Sequence, residues 1–588
     1  MAGVNRQNLV QAVLSGFIFL VGISLAVVAR NYQAHGYADG NLWIEASLAS
    51  RELFVRVFLW QLLGGVLCGS LFSLKRIGLI FMAALCLLVT ICALLDSVIM
   101  DWVLAWGGVF SYFFYSGPLA WALLGCCAAA ALYAIRHFQI GRKALSISAL
   151  LSITLVGLLF IGGRDQSGER PNLVVISVDA LAARHLELYG YTRNTAPNLS
   201  EFAEQAVVFP DAYSQSSWTL PSHASMFTGL EPLSHGAITE QSVLDKRHHT
   251  LAEVLRNAGY YTAAFVDGFQ GFFLDAARGL AQGFDVYDQE GGGSLKIAPK
   301  ALEWLSRQTK PYFAFIHFYD VHLDYEPSAR SRQLFVDPDY GGKVDGYWST
   351  LENLGCEMHP TGEANCPLDA ADKRHLRDLY DAEIFDLDNN LAALLGKLKE
   401  DALRGNTIVV LTSDHGTEFF QHDGFNHNQL YEESLRVPFV LHGVGKQPEP
   451  QRERQVWSVD LLPTVLDVLN LPAPGIVAGV SVFATQGKAR SLTFSDGHRF
   501  GLRLQAWKLI CPQEQIIEKS AAPTCELYNL KEDPAEKQDR WQSEPEIGAS
   551  LLQMLQRKAH AGGISDGEEI PLDHEAVKRL KSLGYLQD

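Results

Sequence analysis

The run Asn172-Leu173-Val174-Val175-Ile176-Ser177-Val178-Asp179 decides the fold of this 588-residue chain, because it is almost wholly apolar and ends on a carboxylate. A continuous apolar strand is typical of a sheet that is buried on both faces. Similar runs recur at Thr262–Val266, Phe313–Phe318, Thr407–Thr412 and Phe439–Leu441. Helical segments alternate with them at Ala196–Gln205, Ser222–Phe227, Leu251–Ala258, Ala298–Arg307 and Lys373–Lys399. The alternation predicts an α/β domain with helices on both sides of a mostly parallel sheet.

Downstream of Pro472 the pattern changes to short alternating strands, which predicts a small antiparallel C-terminal subdomain. The predicted strands are Ser491–Phe494, Phe500–Leu504, Trp507–Cys511 and Glu526–Asn529, and the predicted closing helices are Pro545–Ala559 and Asp573–Leu583. We therefore predict a linker over 164–171, an α/β catalytic domain over 172–472 and its subdomain over 473–588. Residues Ser328–Asp372, rich in Gly, Asp and Pro, read as an insertion in the α/β domain.

Long apolar stretches in residues 1–163 predict a transmembrane domain with five spans. The apolar stretches are Leu9–Ala29, Leu53–Leu74, Ile77–Met100, Ser116–Ile135 and Ala144–Gly162. Basic residues between spans two and three and between spans four and five place those loops, and the N-terminus, in the cytoplasm. Five crossings then place the rest of the chain on the periplasmic or extracellular side of a bacterial-type inner (plasma) membrane. The lipid bilayer is thus an expected partner.

Charge and cysteine placement agree with an exported domain. The net charge of -17 argues against a nucleic-acid partner, because a phosphate-binding surface needs an excess of Lys and Arg. Four of the nine cysteines lie outside the predicted spans and form two close pairs, Cys356/Cys366 and Cys511/Cys525. In an exported domain such pairs predict two disulfides, while free thiols or a metal site are the alternatives.

Polar side chains directly after the predicted strands are the candidates for chemistry. Asp179, Asp320 with His322, and Asp414 with His415 each follow an apolar run. In open α/β sheets ligands bind beyond the carboxyl ends of the strands, and these residue types are metal ligands. His317, by contrast, follows the strand alternation and is interpreted as buried structure.

The segment Ser217-Trp218-Thr219-Leu220-Pro221-Ser222-His223 adds a hydroxyl to this edge. Pro221 suits the first turn of a helix, so Thr219 is expected just before a helix N-terminus. Backbone N–H groups and the helix dipole favour an anion there. The residues alone leave two roles open for Thr219, a plain helix cap or a nucleophile activated by a metal.

Three motifs in this order resemble the sulfatase family of the alkaline phosphatase superfamily. They are Pro171–Asp179, Trp218–His223 and Thr412-Ser413-Asp414-His415-Gly416, followed by Leu430–Pro438 and Glu526–Leu530 with Asp533-Pro534. The resemblance covers roughly 171–585. It implies a metal-dependent ester hydrolase or group transferase with an alkaline phosphatase-like fold.

Departures from the sulfatase pattern concern the nucleophile and the metal. Thr219 occupies the position of the Cys or Ser that sulfatases oxidise to formylglycine, and threonine's methyl group prevents formation of that aldehyde. His223 replaces the motif's Arg, Ala180 replaces a second Asp, and His415 replaces an Asn. An imidazole ligand moves the expected metal from calcium toward zinc or manganese.

With a threonine at the nucleophile position, an Asp-His pair and five predicted spans, the chain resembles lipoteichoic acid synthases and phosphoethanolamine transferases. It also resembles phosphonate monoester hydrolases. By this resemblance Asp179, Thr219, Asp414 and His415 hold a metal, and one or two ions are expected. His322 and His427 contact the transferred group, protonate the leaving group or hold a second ion. His223 and His422 are further candidates for substrate contact.

Three functions remain open from the sequence. The first is cleavage or transfer of a phosphate ester or phosphodiester on a lipid or glycan through a covalent Thr219 intermediate. The second is hydrolysis of a sulfate ester without formylglycine, and the third is a non-catalytic relative.

Overall fold

The structure, a computed structural model, describes residues 170–268, 272–358, 364–445, 454–475, 477–484, 490–517 and 524–562. The five predicted spans and the predicted helix Asp573–Leu583 lie outside these ranges. Among the described residues, no helix is both long and apolar enough to cross a membrane.

A seven-stranded sheet forms the centre of the α/β domain, in the order β2-β12-β9-β1-β6-β4-β5. The five strands from β9 to β5 run parallel, whereas β12 and β2 are antiparallel to their neighbours. The strands are β1 (Asn172–Val178), β2 (Val207–Val208), β4 (Tyr261–Phe265), β5 (Val286–Asp288), β6 (Tyr312–Phe318), β9 (Thr407–Ser413) and β12 (Phe439–His442). Two short strands, β3 (Ala212–Tyr213) and β13 (Val456–Trp457), pair beside this sheet. All five predicted strands are present, and the mostly parallel α/β domain is confirmed.

Helices cover both faces of the sheet, as predicted. They are α1 (Pro197–Ala203), α2 (Thr219–Thr228), α3 (Pro232–His235), α4 (Leu251–Asn257), α5 (Ser294–Ser306), α8 (Ala370–Leu403), α9 (Glu432–Leu435) and α10 (Leu461–Val468). The two faces of β1 carry different cores because successive side chains point to opposite sides. Val174 and Ile176 share a core with α8, while Leu173 and Val175 share the core that contains α2 and α10.

The insertion at Ser328–Asp372 has structure of its own. It contains α6 (Ala329–Phe335), α7 (Trp348–Asn353) and a hairpin of β7 (Glu357–Met358) and β8 (Ala364–Asn365). The Cys356–Cys366 disulfide joins the two sides of this hairpin.

The C-terminal subdomain contains a four-stranded antiparallel sheet, β14 (Ser491–Ser495), β15 (Arg499–Leu504), β16 (Trp507–Pro512) and β17 (Glu526–Asn529). The short α11 (Gln513–Ile517) follows β16, and α12 (Pro545–Gly562) packs Leu551 and Leu555 on one face of this sheet. The Cys511–Cys525 disulfide closes the segment between β16 and β17, so both predicted disulfides are confirmed. A further hairpin, β10 (Glu418–Phe419) and β11 (Phe425–Asn426), lies in the loop after β9.

Candidate active site

Asp179, Asp414 and His415 meet at the carboxyl edge of the central sheet. The register of β1 and β9 pairs Val178 with Ser413, so the residues that follow the two strands start side by side. His415 Nε2 lies 3.3 Å from Asp179 Oδ1 and 3.5 Å from Asp414 Oδ2, and all three side chains are fully buried. The strand ends therefore bring together one imidazole and two carboxylates.

These three groups fit a metal ion. His415 Nδ1 donates to the carbonyl of Gly416 at 2.9 Å. In the neutral ring, Nε2 then carries no hydrogen and its lone pair is available to a cation. Within the described part of the chain, His415 Nε2, Asp179 Oδ1 and Asp414 Oδ2 have no hydrogen-bond partner. Buried lone pairs that face one another are stabilised by a positive charge between them, either a metal ion or a proton on His415. One nitrogen and two oxygen ligands suit zinc or manganese.

The pKa values of the three groups reflect the same crowding. Burial opposes ionisation of Asp179, but the neighbouring imidazoles of His317 and His415 outweigh it and hold its pKa well below the usual range. Burial and the charge of Asp179 raise the pKa of Asp414 to about 7. Burial lowers the pKa of His415, yet Asp414 and Asp179 together raise it to about 9. The site therefore attracts positive charge, as a metal site must.

Thr219 lies beside this cluster at the first residue of α2. The helix begins at Thr219 with Trp218 as its cap, so Thr219 lies inside the first turn rather than just before the predicted segment Ser222–Phe227. The Thr219 hydroxyl donates to Asp179 Oδ2 at 3.3 Å. The first N–H groups of a helix have no partner within it, so this end of α2 favours an anion next to the hydroxyl.

His223, one turn along α2, holds the backbone of Thr219. Its Nδ1 donates to the Thr219 carbonyl at 2.8 Å, and its Nε2 accepts from the Ser177 hydroxyl at 3.1 Å. Burial lowers the pKa of His223 to about 3, so the ring is neutral. Since both nitrogens bond protein groups, the geometry favours support of Thr219 over the substrate contact that the family resemblance implied.

His322 and His427 form a pair above the cluster. Their Nε2 atoms are 3.1 Å apart, and His322 Nδ1 donates to the Leu323 carbonyl at 2.7 Å. The ring of His427 lies 4.4 Å from that of His415, between centroids. Burial lowers the pKa of His322 to about 4, and burial with the charge of His415 holds the pKa of His427 well below its usual range. The two neutral imidazoles can share one N–H between their Nε2 atoms, and the backbone of Ser217 is a further hydrogen-bond partner of His427.

His317 is a functional candidate that sequence reasoning placed in the core. It is fully buried, as predicted, but its Nε2 lies 3.3 Å from Asp179 Oδ2. Burial lowers the pKa of His317, yet its hydrogen bond with Asp179 and that residue's charge outweigh burial and raise it. The signal was available in the alternation of β6, because His317 shares a face with Phe313 and Phe315, which belong to the same core as α2.

Two candidate residues lie elsewhere. His422 stacks on Tyr431 and faces Glu433 at 3.4 Å, in a cluster with the C-terminal segment. Asp320, which follows β6, accepts hydrogen bonds from the backbone and hydroxyl of Ser294 and holds the start of α5. Its carboxylate is thus engaged in structure rather than in the metal cluster.

Carboxylates and an imidazole at the ends of parallel strands, with a hydroxyl at a helix N-terminus, are the arrangement of the alkaline phosphatase-like class of α/β enzymes. The family model for sulfatases matches residues 171–471. The chain belongs to the sulfatase family and is an ester hydrolase of that superfamily, whose members use a divalent metal.

Similar proteins include animal and bacterial arylsulfatases. Arylsulfatase K of Bos taurus is 26% identical over 471 residues, which cover 71% of this chain and 86% of that protein. The arylsulfatase of Clostridium perfringens is 24% identical over 434 residues, covering 62% of this chain and 89% of that protein. The phosphonate monoester hydrolase of Agrobacterium radiobacter has the same fold, with a TM-score of 0.54 at 18% identity over 67% of this chain and 96% of its own.

Proposed function

We propose that this chain cleaves or transfers a phosphate ester or phosphodiester group through a covalent intermediate on Thr219. One observation carries the proposal: the Thr219 hydroxyl is directed at Asp179 Oδ2, 3.3 Å away, beside the three unpaired ligand atoms of Asp179, Asp414 and His415. A threonine at this position cannot become formylglycine, so the hydroxyl itself is the reacting group.

Asp179, Asp414 and His415 would hold the metal, which would supply positive charge to the ester oxygens and to the Thr219 oxygen. Thr219 Oγ1 attacks phosphorus in line, the bond from phosphorus to the leaving oxygen breaks, and a phosphothreonine forms. The hydroxyl proton passes to Asp179 along their hydrogen bond, and it returns to Thr219 Oγ1 when the phosphoryl group leaves that oxygen. The N–H groups at the start of α2 stabilise the equatorial oxygens.

The His322–His427 pair protonates the leaving oxygen. The proton donor is the N–H between the two Nε2 atoms, since His322 Nδ1 is committed to the Leu323 carbonyl. Both rings are neutral at pH 7. A neutral imidazole that donates its proton to the leaving oxygen must be reprotonated before the next cycle. Water or an acceptor alcohol delivers that proton when it displaces Thr219 from phosphorus. Water makes the reaction a hydrolysis, and an alcohol makes it a transfer.

Sulfate ester cleavage is the second candidate, because similar proteins are arylsulfatases and one structural relative holds D-glucosamine-2-N,6-O-disulfate as its substrate. Direct threonine chemistry on sulfur would use the same residues. The phosphate proposal is preferred because a nitrogen ligand in the metal set and a threonine nucleophile both depart from the sulfatase pattern.

The substrate proposed is a phosphorylated, or for the second candidate a sulfated, lipid or glycan at the outer face of the membrane that residues 1–163 are proposed to span. The run of apolar stretches in that region supports this location. The preference for zinc or manganese belongs to the same proposal, as does the alternative in which His322 and His427 hold a second ion.

The test is a substrate panel on the detergent-purified full chain, with metal analysis. It compares p-nitrophenyl phosphate, bis-p-nitrophenyl phosphate and p-nitrophenyl sulfate. We expect turnover of a phosphate substrate that is lost on chelation and restored by zinc or manganese. Turnover of the sulfate alone would replace the proposal with the second candidate.

Two Thr219 variants identify the nucleophile. Thr219→Ala is expected to reduce kcat by roughly 10⁴-fold or more, as for loss of a covalent nucleophile. Thr219→Ser keeps the hydroxyl and is the matched control, expected to retain most of that activity. Equal activity of Thr219→Ala and the unmodified chain would refute the covalent mechanism.

A further inference from the structure

The backbone directly after Asp179 has an uncommon conformation. Ala180 has a φ of +57°, in the left-handed region that residues with a Cβ atom rarely adopt. A residue stays in such a conformation only when its neighbours fix it there, and residues of this kind cluster at functional sites. We call residues 180–182 the ligand turn, because they follow one of the proposed metal ligands.

The ligand turn also orients the second carboxylate of the site. The Ala180 N–H donates to Asp414 Oδ1 at 3.2 Å, and the His415 N–H donates to the same oxygen at 2.8 Å. The other oxygen, Asp414 Oδ2, then faces His415 Nε2 at 3.5 Å. A rotation of the Ala180 peptide would therefore displace both carboxylates, Asp179 because it is the preceding residue and Asp414 because it is bonded to the Ala180 N–H.

The hydroxyl of Tyr380 closes the ligand turn. It donates to the Ala180 carbonyl at 2.7 Å and accepts from the Ala182 N–H at 2.9 Å. One oxygen atom thus joins two backbone groups that lie two residues apart, which fixes the torsion angles between them. Ala180, Ala182 and Tyr380 are 2%, 0% and 0% exposed, so loss of this hydroxyl would leave two buried backbone groups without their partner.

Packing fixes the position of the Tyr380 ring. Tyr380 belongs to the 34-residue helix α8. Its ring packs edge-on against His185, with centroids 4.9 Å apart, and also lies against Tyr325 and Phe419. A side chain held by a long helix and an aromatic cluster has little freedom, and this is what a residue needs if it is to orient a metal ligand from behind.

We propose that Tyr380 is a positioning residue for the metal site. Its hydroxyl holds the ligand turn so that Asp179 Oδ1 and Asp414 Oδ2 are presented to the same cation. The inference rests on the proposed metal site of Asp179, Asp414 and His415, but not on the identity of the transferred group. Partners of this kind, one step behind the ligands, change metal affinity or activity by roughly 10–100-fold when they are removed.

The test is a titration of the chelator-stripped, full-length protein with Zn²⁺ in a metal buffer and with Co²⁺, whose visible absorption depends on ligand geometry. Tyr380→Phe removes one oxygen atom and keeps the ring. We expect it to bind both ions roughly 10–100-fold more weakly and to show an altered Co²⁺ spectrum at saturation. Tyr287→Phe is the matched control, because the Tyr287 hydroxyl on β5 donates to the Leu274 carbonyl at 2.7 Å, and it should keep the affinity and spectrum of the unmodified chain.

Two substitutions at Ala180 test the ligand turn directly. Glycine adopts a positive φ without a penalty from Cβ, so adding Ala180→Gly to Tyr380→Phe should restore metal affinity by roughly 5-fold or more. Ala180→Val places a β-branched residue at a positive φ while Tyr380 stays in place, and it should weaken both ions as Tyr380→Phe does. This second variant decides the question if Tyr380→Phe does not fold.

Unchanged affinity and an unchanged Co²⁺ spectrum in Tyr380→Phe, or in Ala180→Val, would overturn the inference. A loss in Tyr380→Phe that Ala180→Gly does not reduce would also overturn it, since that loss would come from packing. An unmodified chain that binds neither ion would overturn the metal site and this inference with it. Weaker metal binding by Tyr380→Phe, in a protein that turns over none of the phosphate substrates, would support the positioning role and overturn only the proposed reaction.

Discussion

Replacing His317 with leucine removes a buried partner of the carboxylate that connects Thr219 to the metal cluster. Asp179 Oδ2 has two neighbouring donors, His317 Nε2 and the Thr219 hydroxyl, each at 3.3 Å. Loss of a hydrogen bond to a buried charged group costs about 2 kcal/mol, and that energy corresponds to roughly a 30-fold change in a binding constant. We therefore expect His317→Leu to weaken metal binding by roughly 30-fold.

The assay is a titration of chelator-stripped protein with Zn²⁺ or Mn²⁺ in a metal buffer, followed by the metal-dependent rise in Tm. His317→Gln offers an amide N–H in place of the ring and should recover part of the lost affinity, which a purely structural residue would not show. His442→Leu, a change at a buried histidine outside the site, controls for general loss of stability. A His317→Leu protein that binds metal as tightly as the unmodified chain would show that Asp179 needs no support from β6.

Three further predictions concern the folded state of the described domain. Replacing Cys511 and Cys525 with alanine should lower the free energy of unfolding by about 3 kcal/mol, measured by urea denaturation, since the disulfide closes a loop with a sequence separation of 14; an unchanged midpoint would contradict this. Glu432→Gln should lower the free energy of unfolding by roughly 3–5 kcal/mol, because it removes one counter-charge from the buried Lys508 ammonium. A decrease below about 1 kcal/mol in the same urea assay would contradict this prediction. Burial raises the pKa of Glu383 to about 8, so the folded protein binds its proton more tightly than the unfolded chain does. The resulting stabilisation is fully present below about pH 4.5 and is lost as the pH rises toward 8. Glu383→Gln, which keeps an acceptor for the Glu326 N–H, should then be more stable than the unmodified chain by a few kcal/mol at pH 8 but not at pH 4.5, and parallel pH profiles of Tm would refute the assignment.

Local pattern was enough to predict the strands of the central sheet. Each predicted strand is an apolar run bounded by turns, and the observed bounds differ by one residue at most ends, as for β4 at Tyr261–Phe265. Short elements were missed, such as β2 at Val207–Val208, because two residues carry no periodicity. Their pairing depends on the neighbouring strand β12 rather than on their own sequence.

Candidate metal ligands could be predicted because they follow strands directly. Asp179, Asp414 and His415 come after β1 and β9, and parallel strands end at the same edge of a sheet. The same rule also selected Asp320, which instead holds the start of α5. A residue's position after a strand predicts that it lies at this edge of the sheet, but it does not predict which side chain it contacts.

The sequence by itself determined the α/β class, the disulfide pairs and the set of side chains at the sheet edge, because these follow from periodicity and spacing along the chain. Only the tertiary structure decided that His317 supports Asp179, that His223 holds the Thr219 backbone and that His422 faces Glu433 and the C-terminal segment. Each of those contacts joins segments whose approach depends on sheet register and on packing of α2 and the subdomain. A histidine's role depends on which groups its two nitrogens meet, and that is fixed by distances no local pattern contains.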